Sequence, residues 1–134
     1  MTVILGVNFL HADSSACLLV DGRLTMAVAE ERLGRRIKHD PGFPEHAVRA
    51  VLDDAGLSLK DIDYVAVPRQ PGANLAAKLR YVASHPLSGV QAYFEHARRR
   101  KIQDDALQTQ LARACDTGPA EARFQVAHVE HHLA

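Results

Sequence analysis

Net charge is the first thing this chain lacks. Lys and Arg number 16 and so do Asp and Glu. No global field draws in nucleic acid or a membrane surface, so neither is expected as a partner. Cysteine is scarce, and the spacing of the pair present, Cys17 and Cys115, suits neither a metal site nor a disulfide framework. That fits a reducing cytoplasm, with both thiols structural rather than reactive. Long apolar runs are missing as well: none approaches the roughly 18 residues of a spanning helix. Met1-Thr2 carries no basic region and a short apolar run follows, so no signal peptide is expected and the location reads as cytoplasmic. There is no internal repeat, low-complexity tract or domain linker. What remains is ordinary for one globular domain, 47% hydrophobic and 24% charged, able to bury roughly two thirds of its unfolded surface. Histidine is the exception, at 8 residues, with His128, His131 and His132 crowded at the end.

The stretch from Val3 to Arg32 organises the rest. Val3 to Val7 is a short β-branched run with Gly6 inside it. Ser15 to Val20 and Arg23 to Ala29 are further runs, and Asp21-Gly22 between them is a strong hairpin signal, since both turn positions need positive φ. The pattern predicts strand, polar loop, strand, tight turn, strand. The loop, Asn8 to Ser14, puts His11, Asp13 and Ser14 at the mouth of the first strand. Small polar side chains and backbone N–H groups there suit a phosphate or nucleotide. They also suit an Asx or Ser turn, and on these residues alone the turn is the better reading.

A basic loop, Gly34 to Asp40, and the breakers Pro41, Gly42 and Pro44 come next. Pro44 and Glu45 then predict a helix start. Ala47, Val48, Val51, Leu52 and Ala55 form one apolar face, and Gly56 ends it. Tyr64 to Val67 is a strand candidate returning parallel to an earlier strand. Ala73 to Ser84, Leu87 to Ile102 and Gln103 to Cys115 read as helices, so positions 72–119 are expected to be a helical insertion or cap. Phe124 to Val129 is the last strand candidate. The chain then stops at Ala134 on an unfinished helix start, which reads as a truncation.

Several separate motifs in order now match something known. The Val3–Arg32 hairpin with its His11-Ala12-Asp13-Ser14-Ser15 loop, Glu30-Glu31-Arg32, Arg36-Ile37-Lys38-His39, Gly42-Phe43-Pro44 and Val129-Glu130-His131-His132-Leu133-Ala134 together resemble the amino-terminal part of the O-carbamoyltransferases of antibiotic tailoring and nodulation-factor synthesis. These are relatives of the tRNA threonylcarbamoyladenosine-forming proteins. The likeness runs from Val3 to about Val67 and again from Phe124 to Ala134. It implies an α/β fold, an actin-like ATPase (ribonuclease-H-like) half-domain with a mixed sheet. It also implies a reaction: a later domain makes carbamoyl adenylate from carbamoyl phosphate and ATP, and the part begun here passes the carbamoyl group to a hydroxyl of a sugar or other natural product. The expected partners are those small molecules and the missing remainder of the chain, and the fragment alone is expected to be inactive.

The resemblance also assigns residues. His11, Asp13, Lys38 and His39 fall among the catalytic groups, and Asn8 and Ser14 at the nucleotide. His131 and His132 begin a motif like His-His-x-x-His, whose metal is expected to be iron or another divalent ion. Histidines at i and i+4 share a helix face, and the partner of His131 would be position 135. His128 reads as a packing histidine or one supporting the ligands. Many relatives place His directly before Asp; here Ala12 intervenes, as in one branch. If His11 reaches the carbamoyl group it suits a general base on the acceptor hydroxyl. Lys38 and His39 suit phosphate or carbamoyl oxygens, and Lys38 reads equally well as a solvated loop lysine. Two rivals stay open: another actin-like phosphotransferase such as a sugar kinase, and a non-catalytic ligand-binding domain of the same fold.

Overall fold

The computed structural model describes residues 1–9, 13–34, 39–40, 42–68, 80, 83–84, 106–118 and 123–129. β1 (Val3–Asn8) and β2 (Ser15–Val20) pair antiparallel, with Val3, Leu5, Val7, Ala16 and Leu18 buried at alternate positions. That period of two sends one side of each strand into the core. Asp21 and Gly22 stand at φ 50° and 77°, the mirror-image turn that matches the twist of its strands. Asp21 closes the corner twice: its N–H donates to the Thr2 carbonyl at 2.8 Å, and its Oδ1 accepts the Thr2 N–H at 2.7 Å. β3 (Arg23–Ala29) returns antiparallel along β2, with a register shift between Leu18 and Leu19.

α1 (Glu45–Ala55) follows, burying Ala47, Val48, Val51 and Leu52 against this sheet. Gly56 at φ 62° ends it: its N–H donates to the Asp53 carbonyl and that of Leu57 to the Leu52 carbonyl, the paired bonds that close a helix with a left-handed residue. β4 (Tyr64–Val67) then lies parallel to β1, and β5 (Gln125–His128) parallel to β4. Asp63 gathers the three strand starts, its Oδ2 accepting the Val3 N–H and its carbonyl accepting the Gln125 N–H. The sheet order is β3-β2-β1-β4-β5. Three antiparallel strands, a helix, then parallel strands added beyond the first is the ribonuclease-H-like arrangement of actin-like ATPases. The expected α/β class and mixed sheet are therefore found.

Of the stretch 72–119, the two expected helices from Ala73 to Ser84 and Leu87 to Ile102 lie almost wholly outside the described residues. Residues 106–114 are helical. Leu107, Leu111 and Ala112 join Val48, Val51 and Leu5 in one buried cluster, so this end of the stretch belongs to the core layer beside α1. Arg49 of α1 donates through Nε to the Ala114 carbonyl, and its Nη2 lies 3.0 Å from Asp116 Oδ2. Among the described residues, no helix is long and apolar enough to cross a membrane.

Two outcomes follow. Gly22→Val is expected to lower the unfolding free energy by about 1 kcal/mol or more, because a β-branched residue strains at positive φ; equal thermal midpoints for both proteins would contradict the turn. Burial pushes the Cys17 and Cys115 thiols up from their ordinary value. Both are expected to alkylate more slowly than a free thiol at pH 7, the difference narrowing as pH rises and thiolate forms; labelling followed by peptide mass analysis checks this.

Candidate active site

The site is built where the loop after β1 meets the loop before α1. Helix α1 begins after Pro44, which offers no side-chain cap. The first N–H groups of any helix need acceptors, and Glu30 supplies them from the end of β3. Its side chain is buried. Oε1 accepts the His46 N–H at 3.1 Å and lies 2.6 Å from His46 Nδ1, while Oε2 accepts the Ala47 N–H at 2.8 Å. Glu45 stands in the first turn of α1, as expected of an acid at a helix start; the capping acceptor is a second carboxylate, from outside the helix.

Ser14 joins the two loops. Its N–H donates to the Asp40 carbonyl at 2.9 Å, and its carbonyl accepts the Glu30 N–H at 3.0 Å. Its hydroxyl lies in the interior without a hydrogen-bond partner, not at the mouth of the first strand. Phe9 and Phe43 meet edge-on across the same junction, ring centroids 5.5 Å apart. Pinning residue 14 to residue 40 sets the preceding residues side by side. His39 Nδ1 lies 2.8 Å from Asp13 Oδ1, and Asn8 Nδ2 donates to the Asp13 carbonyl at 3.1 Å. So Asp13 reaches across to a second loop instead of closing a turn on its own backbone. His39 holds φ 51°.

Asn8, Asp13 and His39 are thus brought together, with Ser14 beneath them. His11, Lys38, His131 and His132 lie outside the described residues. Among the described residues no group of three or more His, Cys, Asp or Glu is placed to hold a metal ion. A cavity of about 420 Å³ with mainly apolar walls opens beside Asn8, over Gly6, Cys17, Ala66, Pro68 and Val129. It lies at the ends of β1 and β4, where open α/β sheets hold ligands. Glu30 and His46 were missed in the sequence. The available signal was a helix start lacking Ser, Thr, Asp or Asn, which requires an acceptor from elsewhere.

The fold is an α/β domain with a mixed sheet of ribonuclease-H-like order, and this loop junction gathers polar groups at its strand ends. The carbamoyltransferase N-terminus family model matches residues 3–134, and the chain belongs to that family. Among relatives, an uncharacterized protein of Synechocystis is 44% identical over 71 residues, 53% of this chain and 11% of that protein. The nodulation protein NolNO of Sinorhizobium fredii is 45% identical over 59 residues, 44% of this chain and 8% of its own length. An uncharacterized 19.2 kDa protein of Rhizobium etli is 36% identical over 83 residues, 62% of this chain and 47% of that one. The matched part is less than half of each relative. Among solved structures, YeaZ of Pseudomonas aeruginosa aligns over 97% of this chain and 43% of its own, with 22% identity and a TM-score of 0.43.

Glu30→Ala is expected to lower the unfolding free energy by about 2 kcal/mol or more, through a lost cap and orphaned N–H groups. Glu31→Ala beside it is expected to stay within about 0.5 kcal/mol. Denaturant melts of both variants decide; equal losses would show that Glu30 caps nothing of consequence.

Proposed function

We propose that this chain is the opening part of an O-carbamoyltransferase. That enzyme moves a carbamoyl group from carbamoyl adenylate, made from carbamoyl phosphate and ATP, to a hydroxyl of a natural-product or sugar acceptor. The family match through residues 3–134 carries this reading. Identity to a nodulation protein over 59 residues supports it. The remainder of the polypeptide would supply the adenylate-forming step. A sugar kinase or a binding domain of the same fold shares the sheet, but the family match favours carbamoyl transfer over both.

In this reading the cavity beside Asn8 receives the nucleotide, with Asn8 at its rim and Ser14 backing the loop from inside. His11 and Lys38 would serve the same reaction, Lys38 on phosphate or carbamoyl oxygens and His11, by the family resemblance, as a candidate proton acceptor. His131 and His132 would hold a divalent metal, iron foremost. Imidazole nitrogens suit that ion, which would polarise the carbamoyl carbonyl as a Lewis acid. Position 131 follows closely on β5, the strand that parallels β4 at the ligand-bearing end of the sheet. Capture of the donor and acceptor would then be shared between the strand ends and the rest of the polypeptide.

The 134-residue chain alone is expected to carbamoylate no aminoglycoside- or macrolide-type acceptor given carbamoyl phosphate and ATP, whereas the full-length enzyme does. Turnover above background by the short chain would overturn its dependence on the remainder. In the full-length enzyme, His131→Ala is expected to lose the metal and the transfer rate while carbamoyl adenylate still forms. Metal analysis beside the two half-reaction rates checks this, with His128→Ala as a comparison expected to change stability more than metal content. A His131→Ala enzyme that keeps both metal and transfer would remove His131 from the ligand set.

A further inference from the structure

We infer that His39 and Asp13 form a proton-accepting pair for the acceptor hydroxyl, with His39 Nε2 as the general base and Asp13 as the group that orients it. The inference rests on the carbamoyl-transfer reading above and moves the base from His11 to a residue 28 positions later. The contact between His39 Nδ1 and Asp13 Oδ1 is 2.8 Å. A carboxylate only accepts, so the proton of this contact belongs to Nδ1, and in the neutral imidazole Nε2 keeps its lone pair. The His39 side chain is 67% exposed, so the ring is not closed off in the interior.

The backbone around the pair is held from several sides. The Asp13 carbonyl takes the Asn8 amide, and the next residue is tied to Asp40. His39 sits at φ 51°, a region that non-glycine residues visit sparingly. An exposed ion pair adds little to stability, so stability does not account for that backbone; a side chain aimed at a partner does. Among the described residues, the neighbouring charged groups have other engagements. Asp40 Oδ1 accepts the Gly42 N–H at 3.1 Å, and Glu30 and His46 are bonded to one another at the start of α1.

The step balances with these groups alone. The acceptor oxygen bonds to the carbamoyl carbon, the bond from that carbon to the adenylate phosphate oxygen breaks, and AMP leaves with the electron pair. The hydroxyl proton passes to Nε2, and Asp13 faces the resulting imidazolium. A carboxylate that fixes a histidine tautomer and steadies its charged form is the arrangement that activates hydroxyls in acyl transfer.

The test uses the full-length enzyme, measuring carbamoyl adenylate formation and transfer separately, with an ordinary sugar hydroxyl and with a fluorinated, more acidic alcohol. His39→Asn tolerates positive φ and so keeps the loop, but it cannot take the proton. It is expected to slow transfer to the sugar by about 10²–10⁴-fold, to slow transfer to the acidic alcohol markedly less, and to leave adenylate formation unchanged. Asp13→Asn is expected to shift the same ratio in the same direction. A His39→Asn enzyme within threefold of the parent, or one slowed equally for both alcohols, overturns the pair's role while the transferase reading stands. A parent enzyme that carbamoylates no hydroxyl overturns that reading, and the pair with it.

Discussion

The carboxylate of Glu30 is the constraint on which the rest of this domain depends. It is taken almost wholly out of water, with 4% exposure, and an unpaired buried charge would cost far more than a small domain can tolerate. Contacts from His46 and Ala47 offset that cost, two of them from N–H groups of a helix start whose positive dipole end favours an anion. The dependence runs both ways. Pro44 cannot cap α1, so the helix lacks its own acceptor and takes one from the end of β3. Glu30 also donates its N–H to the Ser14 carbonyl. One residue therefore ties together the third strand, the first helix and the loop after the first strand.

From that tie the site follows by register. Ser14 is held on one side by Glu30 and on the other by Asp40, which acts as a single rung of a ladder between two loops. Once that rung exists, Asp13 and His39 are neighbours, although 26 residues separate them in sequence. The pair is 67% and 56% exposed, and exposed ion pairs of this kind contribute roughly 0–1 kcal/mol. That is no more than the left-handed backbone at His39 costs. The arrangement is neutral for stability at best, whereas the buried Glu30 contacts that enforce it are not. Stabilising contacts and the proposed proton-accepting pair are thus separate residues joined by one backbone rung.

What was legible in the sequence is what short-range chemistry decides. Asp21-Gly22 marked its turn because two adjacent residues must both take positive φ. The face of α1 was readable from Ala47, Val48, Val51 and Leu52, and its end from Gly56, because helical spacing and a left-handed cap are local properties. Glu30 was not readable as a cap. Glu30, Glu31 and Glu45 are equivalent acids until the fold brings one of them to His46 and Ala47, and only tertiary packing makes that choice. The same holds for Asp13, where an Asx turn and a partner on another loop are indistinguishable until Ser14 meets Asp40. Asn8, Asp13 and His39 were each named as site residues from a family resemblance. Their meeting point comes from the fold, while His11, Lys38, His131 and His132 lie outside the described residues.

The two faces of the sheet explain why the cavity adjoins this junction. Facing α1, neighbouring strands set Leu5 against Leu18 and Val65, and that side closes into the core. One position along, the paired row reads Ala27, Cys17, Gly6, Ala66 and Ala127 across all five strands. Small side chains there leave space where the other face is filled. Gly6 is the tightest point: a Cβ at this position would stand 2.6 Å from Cys17 Sγ, so a larger residue must displace the thiol before anything else moves. Asn8 is two residues further along the same strand, on the same face by alternation. It lines the cavity and also donates its amide to the Asp13 carbonyl. One side chain, that of Asn8, therefore joins the apolar cavity to the loop that carries the Asp13–His39 contact.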